Sequence, residues 1–268
     1  MAEVVHVGCA DLPHGVGWSR YFDKLDFVET PGLQRGPIRP SVLAKWRAAA
    51  PGPGAFAVVA PAPVTHPTPK QGWGAAGWPL TADERRLAGH LADTEPVHRG
   101  IAALAEGAAA LDAGVVVFNT PPSFSPSAGN RDRLRRFFGE LAPAERFGAA
   151  ARVWRPEGLW EVPAALAMCT ELDLILGADP LLRDPTRDPV DYFGTLDTPR
   201  VYFRVSGIGT GRRTLRSSQL EEIGELVEAY EQAWILFATV DPMADAVRLR
   251  RMIGAPAGVG QRGQDAEE

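Results

Sequence analysis

Short runs of apolar and β-branched residues, bounded by turn residues, recur at positions 4–9, 27–30, 56–61, 114–120, 149–154, 172–179, 200–207 and 233–240. That pattern predicts eight strands. Between most of them lie segments of helical period, at 41–50, 81–113 with a break near Pro96, 130–141, 163–171, 217–232 and 242–253. Helix starts carry their own chemistry. Thr81 with Glu84 and Ser218 with Glu221 fit the capping box, and Asp241 before Pro242 fits an N-cap followed by proline at the first helical position. From 217 onward, Leu220, Ile223, Leu226, Val227 and Tyr230 share one face, and Glu221, Glu222, Glu225 and Glu228 take the rest.

Several strands are apolar on both parities, as in Val115-Val-Val-Phe118 and Leu174-Ile-Leu176. Parallel strands covered by helices read this way, and an antiparallel sandwich does not. No glycine-rich dinucleotide fingerprint follows the first strand, where the chain reads Gly8-Cys-Ala-Asp-Leu-Pro13. Strand–helix alternation therefore predicts an α/β protein: a TIM-like (β/α)8 barrel in a single domain over residues 1–254, followed by a polar, glycine-rich and disordered tail at 255–268.

A chain of 268 residues with 45% hydrophobic and 23% charged residues suits one such barrel. Lys and Arg number 28 against 33 Asp and Glu, a formal charge of −5, so an anion site has to be local and nucleic-acid binding ranks last among the partners. Only Cys9 and Cys169 occur, which leaves no disulfide framework and no cysteine metal site. The start lacks the basic and apolar regions of a signal peptide, and no stretch approaches a membrane span, so the expected location is cytoplasmic with no membrane contact.

In a barrel of this kind the functional residues collect at the carboxyl ends of the strands. Polar residues near the ends of apolar runs are Glu29, His66, Asn119, Arg152, Asp179, Arg204 and Ser206. Tyr202, Arg204 and Ser206 share a face of the seventh strand, which turns Arg204 inward, and Arg152 with Trp154 is expected to present a second guanidinium to the mouth. Such arginines need a carboxylate, Glu29 or Asp179, or a bound anion. After the seventh strand comes a basic loop, Gly207-Ile-Gly209-Thr-Gly211-Arg212-Arg213, at the place where barrels often bind phosphate. His66 is the acid–base candidate, with Glu29 or Asp179 beside it. Asn119 either reads a ligand edge or bonds to loop backbone. No histidine spacing marks a metal site, no cofactor is implied, and neither serine nor cysteine context marks a covalent nucleophile.

Val7-Gly-Cys9, Phe27-Val-Glu29, Trp46, Phe56-Ala-Val58, Val64-Thr-His66, Pro121-Pro-Ser-Phe124, Arg152, Ala178-Asp179, Tyr202-Phe-Arg204 and Phe237 follow one another in an order that resembles the YecE-like family, a widespread domain of unknown function. The resemblance spans nearly the whole chain and implies a TIM-like barrel without an activity. Several polar positions of that family are replaced: Thr30-Pro31 stand for its Ile-Asn, Val59 for a lysine, Asn119 lies near its glutamine, Ala150 stands for a glutamate, Ser206 for a histidine and Ala238-Thr239 for an Asn-Asn pair. Two functional expectations follow. One is a metal-independent, hydrolase-like enzyme that binds a small anionic or phosphorylated ligand through Arg152, Arg204 and the 207–213 loop. The other is a non-catalytic binding or scaffold protein, with the Trp- and Pro-rich stretch 60–77 as the surface for a protein partner.

Overall fold

A computed structural model describes residues 4–70, 72–74, 77–182, 193, 196–206 and 215–254. Eight strands, β1 (Val4–Cys9), β2 (Phe27–Thr30), β3 (Phe56–Val59), β4 (Val115–Thr120), β5 (Ala151–Pro156), β6 (Ile175–Ala178), β7 (Arg200–Val205) and β8 (Gln232–Phe237), close into a parallel barrel in sequence order, with β8 paired to β1. This is the TIM-like (β/α)8 architecture that the hydrophobic pattern predicts.

Parity along each strand sorts side chains into two layers. Phe27, Val59, Val117, Val153, Ile175 and Tyr202 are among those that fill the barrel interior, while Val28, Val58, Val116, Phe118, Trp154 and Phe203 meet the helices. The covering helices are α1 (Trp18–Phe22), α2 (Gly32–Arg35), α3 (Pro40–Ala49), α4 (Ala62–Thr65), α5 (Ala82–Leu87), α6 (Glu95–Ala110), α7 (Ala128–Arg136), α8 (Val162–Glu171), α9 (Ser217–Val227) and α10 (Pro242–Met252). Phe118 shows how tightly the outer layer packs: it meets Phe137, Phe138 and Phe147 edge to face at ring separations of 5.2–5.9 Å, each pair contributing about 0.5–1.5 kcal/mol beyond burial.

Several local expectations change. The 81–113 segment is two helices, and the break falls at 88–94, ahead of Pro96, which lies in the first turn of α6 where its missing N–H leaves no gap. Thr81 and Glu84 do form a reciprocal capping box, at 3.3 and 2.7 Å. Ser218 and Glu221 do not: the cap of α9 falls two residues earlier, at Arg216, whose N–H donates to Gln219 Oε1 at 3.0 Å. Asp241 caps α10 by accepting the Ala244 N–H at 3.2 Å. The 60–77 stretch, named above as a surface for a protein partner, contains α4, all four of whose residues are buried. The basic loop with Gly207, Gly209, Gly211, Arg212 and Arg213, the tail 255–268 and most of 181–199 lie outside the described residues.

Candidate active site at the barrel mouth

Inward parity brings Glu29 of β2, Asn119 of β4, Arg155 of β5 and Arg204 of β7 to the carboxyl end of the barrel, with Asp179 just beyond β6. Glu29 is only 1% exposed. A buried carboxylate without partners would cost several kcal/mol. Its Oε2 accepts the Tyr202 hydroxyl at 2.7 Å and its Oε1 accepts the Arg204 Nε–H at 3.1 Å. Burial and the adjacent Glu29 charge push the Tyr202 phenol well above its ordinary value, so it stays a donor. Glu29 is thus an anchor for Arg204, and the pairing expected from sequence is present.

Arg155 is the second mouth arginine, and it replaces Arg152 in that role. Asn119 and Arg155 are register partners on adjacent strands, and the Arg155 Nε–H donates to Asn119 Oδ1 at 2.8 Å. Glu157 lies 3.5 Å from the Arg155 Nη2. Gly177 on β6 makes room for this side chain, since a Cβ there would meet Arg155 Cβ at 2.9 Å and Cγ at 3.1 Å. Burial lowers the Arg155 pKa; Glu29 opposes that shift and Arg204 adds to it. Two guanidinium groups therefore share one electrostatic environment.

Arg152 points the other way. Ala151, Val153 and Arg155 take the inner parity, so Arg152 faces the helices and donates to the carbonyls of Phe138, Ala142, Leu172 and Asp173 at 3.0, 3.1, 3.0 and 3.4 Å. These are carbonyls at the ends of the π-helical turn Phe137–Leu141 and of α8, where a cation is favourable. Arg152 is a helix-end clamp on the outside of the barrel.

Asp179 accepts the backbone N–H groups of Leu181 at 3.0 Å and Ser206 at 2.7 Å, tying the end of β6 to the end of β7. Burial raises its carboxyl, against the pull of these donors and of Arg204. Ser206 takes part through its backbone. His66 follows α4 and its Nδ1 lies 2.8 Å from the buried Thr65 hydroxyl. Burial lowers its pKa, with Glu157 opposing and Arg155 and His90 reinforcing the shift. Its charged neighbours are therefore Glu157, Arg155 and His90, and neither Glu29 nor Asp179 pairs with it.

Sequence reasoning missed Arg155, Tyr202 as a ligand of Glu29, Glu157 and His90. Arg155 was recoverable from position: it stands near the end of its strand, as Asn119 does, whereas Arg152 stands at the start. Among the described residues no group of three or more His, Cys, Asp or Glu is placed to hold a metal ion, and no helix is long and apolar enough to cross a membrane. Among the described residues, surface clefts elsewhere include one of about 410 Å³ lined by Asp93, Asp132, Arg133 and Arg136, and one of about 200 Å³ that includes Asp173 and Arg200.

Fold and mouth together define a TIM-like barrel with an arginine-bearing carboxyl-end site. No family model matches the sequence, and no curated protein matches it. Among solved structures, a DUF72 family protein from Enterococcus faecalis V583 is similar over 95% of this chain and 99% of its own, with a TM-score of 0.66 at 16% identity. A DUF72 family protein from Thermotoga maritima MSB8 gives 0.59 at 13% identity, over 94% and 99%. An AP endonuclease, family 2, from Brucella melitensis gives 0.52 at 12% identity, over 93% and 98%. At these identities the likeness establishes the fold.

Proposed function

We propose that this protein is a divergent YecE-like, DUF72-type barrel whose mouth binds a small anionic, phosphorylated ligand between Arg155 and Arg204. Family placement is supported by the ordered motifs from Val7-Gly-Cys9 to Phe237 together with the DUF72 structural neighbours. One observation carries the ligand class. Both arginines are held through Nε, Arg204 by Glu29 and Arg155 by Asn119. Among the described residues their terminal N–H groups make no further hydrogen bond, apart from the 3.5 Å contact of Arg155 with Glu157. Burial disfavours the Arg155 charge, and Arg204 disfavours it further. A bound anion relieves both.

His66, with Nε2 unpaired among the described residues and Glu157 near it, supplies acid–base capacity for hydrolysis-type chemistry on that ligand. Asp179 shapes the mouth by fixing the ends of β6 and β7. Arg152 is removed from the ligand set, and the 207–213 loop stays a candidate phosphate contact by position alone.

Thermal-shift measurements with inorganic phosphate and a panel of phosphorylated metabolites and nucleotides test the reading. A ligand at a hundred times its Kd adds about 2.7 kcal/mol to stability, a rise in Tm of roughly 5–10 °C for a domain of this size. Arg155→Met abolishes it. If the wild-type protein is stabilised by no phosphorylated compound, the site is not an anion site, and the scaffold reading takes its place.

A further inference from the structure

His90 and Ser123 come from two different loops and meet at the mouth, with the imidazole Nε2 2.9 Å from the serine Oγ. Both loops are pinned by backbone contacts. The segment 89–91 docks on α4 through three hydrogen bonds: Gly89 N–H to Pro63 O at 2.7 Å, His90 N–H to Thr65 O at 3.0 Å and Leu91 N–H to Val64 O at 2.9 Å. That docking puts His90 and Leu91 at φ of +53° and +56°. Left-handed backbone at such residues is strained and persists only where the surroundings hold it. Gly89, at φ +92°, admits the close approach, because a Cβ there would lie 2.3 Å from the His66 carbonyl carbon.

Ser123 is equally fixed. It sits in a turn closed by the Phe124 N–H to Pro121 O bond at 2.8 Å. Phe124 is fully buried, and its carbonyl accepts the Trp160 indole N–H at 2.6 Å. The serine itself is exposed. Burial and the nearby Arg133 lower the His90 pKa, which favours the neutral ring that can take a proton. Ser123 lies three residues beyond the carboxyl end of β4, and the His90 segment docks on α4, which follows the carboxyl end of β3, so the pair lies at the same end of the barrel as the arginines.

We propose that Ser123 and His90 form a nucleophile–base dyad that takes an acyl group from a small anionic ester. The Ser123 Oγ–H gives its proton to His90 Nε2 as Oγ bonds to the ester carbonyl carbon. The bond from that carbon to the leaving oxygen then breaks, and the departing alcohol takes the proton from His90. Water, giving its proton to the same imidazole, attacks the acyl carbon, the bond from that carbon to Ser123 Oγ breaks, and Oγ takes the proton back from His90, so the net change is ester plus water to acid plus alcohol. Only the anionic character of the substrate rests on the arginine site proposed above.

An uncharged alkyl fluorophosphonate, followed by mass mapping of the labelled peptide, tests the dyad. The expected result is displacement of fluoride and an adduct on Ser123, absent in Ser123→Ala. His90→Asn keeps a residue type that tolerates left-handed backbone, and it labels slower by a factor of about a hundred or more while melting as a folded protein. No adduct on Ser123, or wild-type labelling in folded His90→Asn, overturns the proposal. Hydrolysis of p-nitrophenyl succinate against p-nitrophenyl acetate then separates the two readings. A preference for the anionic ester that Arg155→Met removes supports both, whereas labelling of Ser123 without that preference keeps the dyad and removes the anion site.

Discussion

Arg152 and Arg155, three positions apart on one strand, carry opposite assignments, and substituting each by methionine separates them. Methionine keeps much of the apolar stem and deletes the guanidinium. At Arg152 this strips four backbone carbonyls of their donor at a residue that is 7% exposed. A hydrogen bond to a charged group is worth about 1.5–3 kcal/mol net. The four are not additive and the outer carbonyls regain water, so the loss is roughly 3 kcal/mol, or a Tm lower by roughly 6–12 °C. At Arg155 the same change removes the bond to Asn119 and the 3.5 Å contact with the half-exposed Glu157, but it also removes a cation that burial and Arg204 both disfavour. The expected change there is within about 1 kcal/mol of wild type. Denaturant unfolding with and without saturating phosphate reads both properties at once. Arg152→Met should unfold earlier yet keep phosphate protection, and Arg155→Met should unfold near wild type with protection gone. The reasoning fails if Arg155→Met is the less stable of the two, or if folded Arg152→Met loses phosphate protection.

Two further outcomes follow from backbone space and from half-buried imidazoles. Gly89→Ala combines a left-handed φ with a 2.3 Å approach to backbone, so it should lower stability by about 3 kcal/mol or more and slow any Ser123 labelling; an unchanged Tm refutes the docking described for segment 89–91. His6, His66 and His90 all have pKa values lowered, chiefly by burial, from the ordinary 6.5. Below that pH the unfolded chain binds more protons than the folded one, so their contribution is complete above about 6.5 and is lost as pH falls. Asp179 and Asp245, raised by burial, act in the opposite sense at lower pH, so the clean readout is a difference: His6→Gln should show a shallower loss of stability between about pH 7 and 5.5 than wild type, and an identical slope removes His6 from the account.

What the sequence made legible follows from how unambiguous each strand's parity is. In β7, Val201, Phe203 and Val205 alternate cleanly with Tyr202 and Arg204, so the inward arginine could be named in advance, with Glu29, Asp179 or a bound anion as its alternative partners. In β5 both parities carry apolar residues, and the strand runs to Pro156, two residues past the predicted end, which left Arg155 outside it and made Arg152 look like the terminal polar group. The helices α1, α2 and α4 have only four or five residues, too few for a period of 3.6 to show. The His90–Ser123 contact was invisible for a different reason: it depends on backbone bonds between 89–91 and α4, and backbone groups leave no signature in side-chain chemistry.

At one seam of the barrel a phenol bridges the two strands. Between β1 and β2 only Gly8–Phe27 and Cys9–Val28 are in register, and the Tyr21 hydroxyl sits across the gap, accepting the Cys9 N–H at 2.8 Å and donating to Phe27 O at 2.7 Å. Gly8 leaves the room for it, since a Cβ there would lie 3.1 Å from that oxygen. The bridge is therefore made by a phenol that needs its proton to do so. Burial keeps that proton on, well above the ordinary tyrosine range. This phenol bridge thus keeps its proton under basic conditions that would ionise an ordinary surface tyrosine, and alkali has no ready way to unfasten β1 from β2 there.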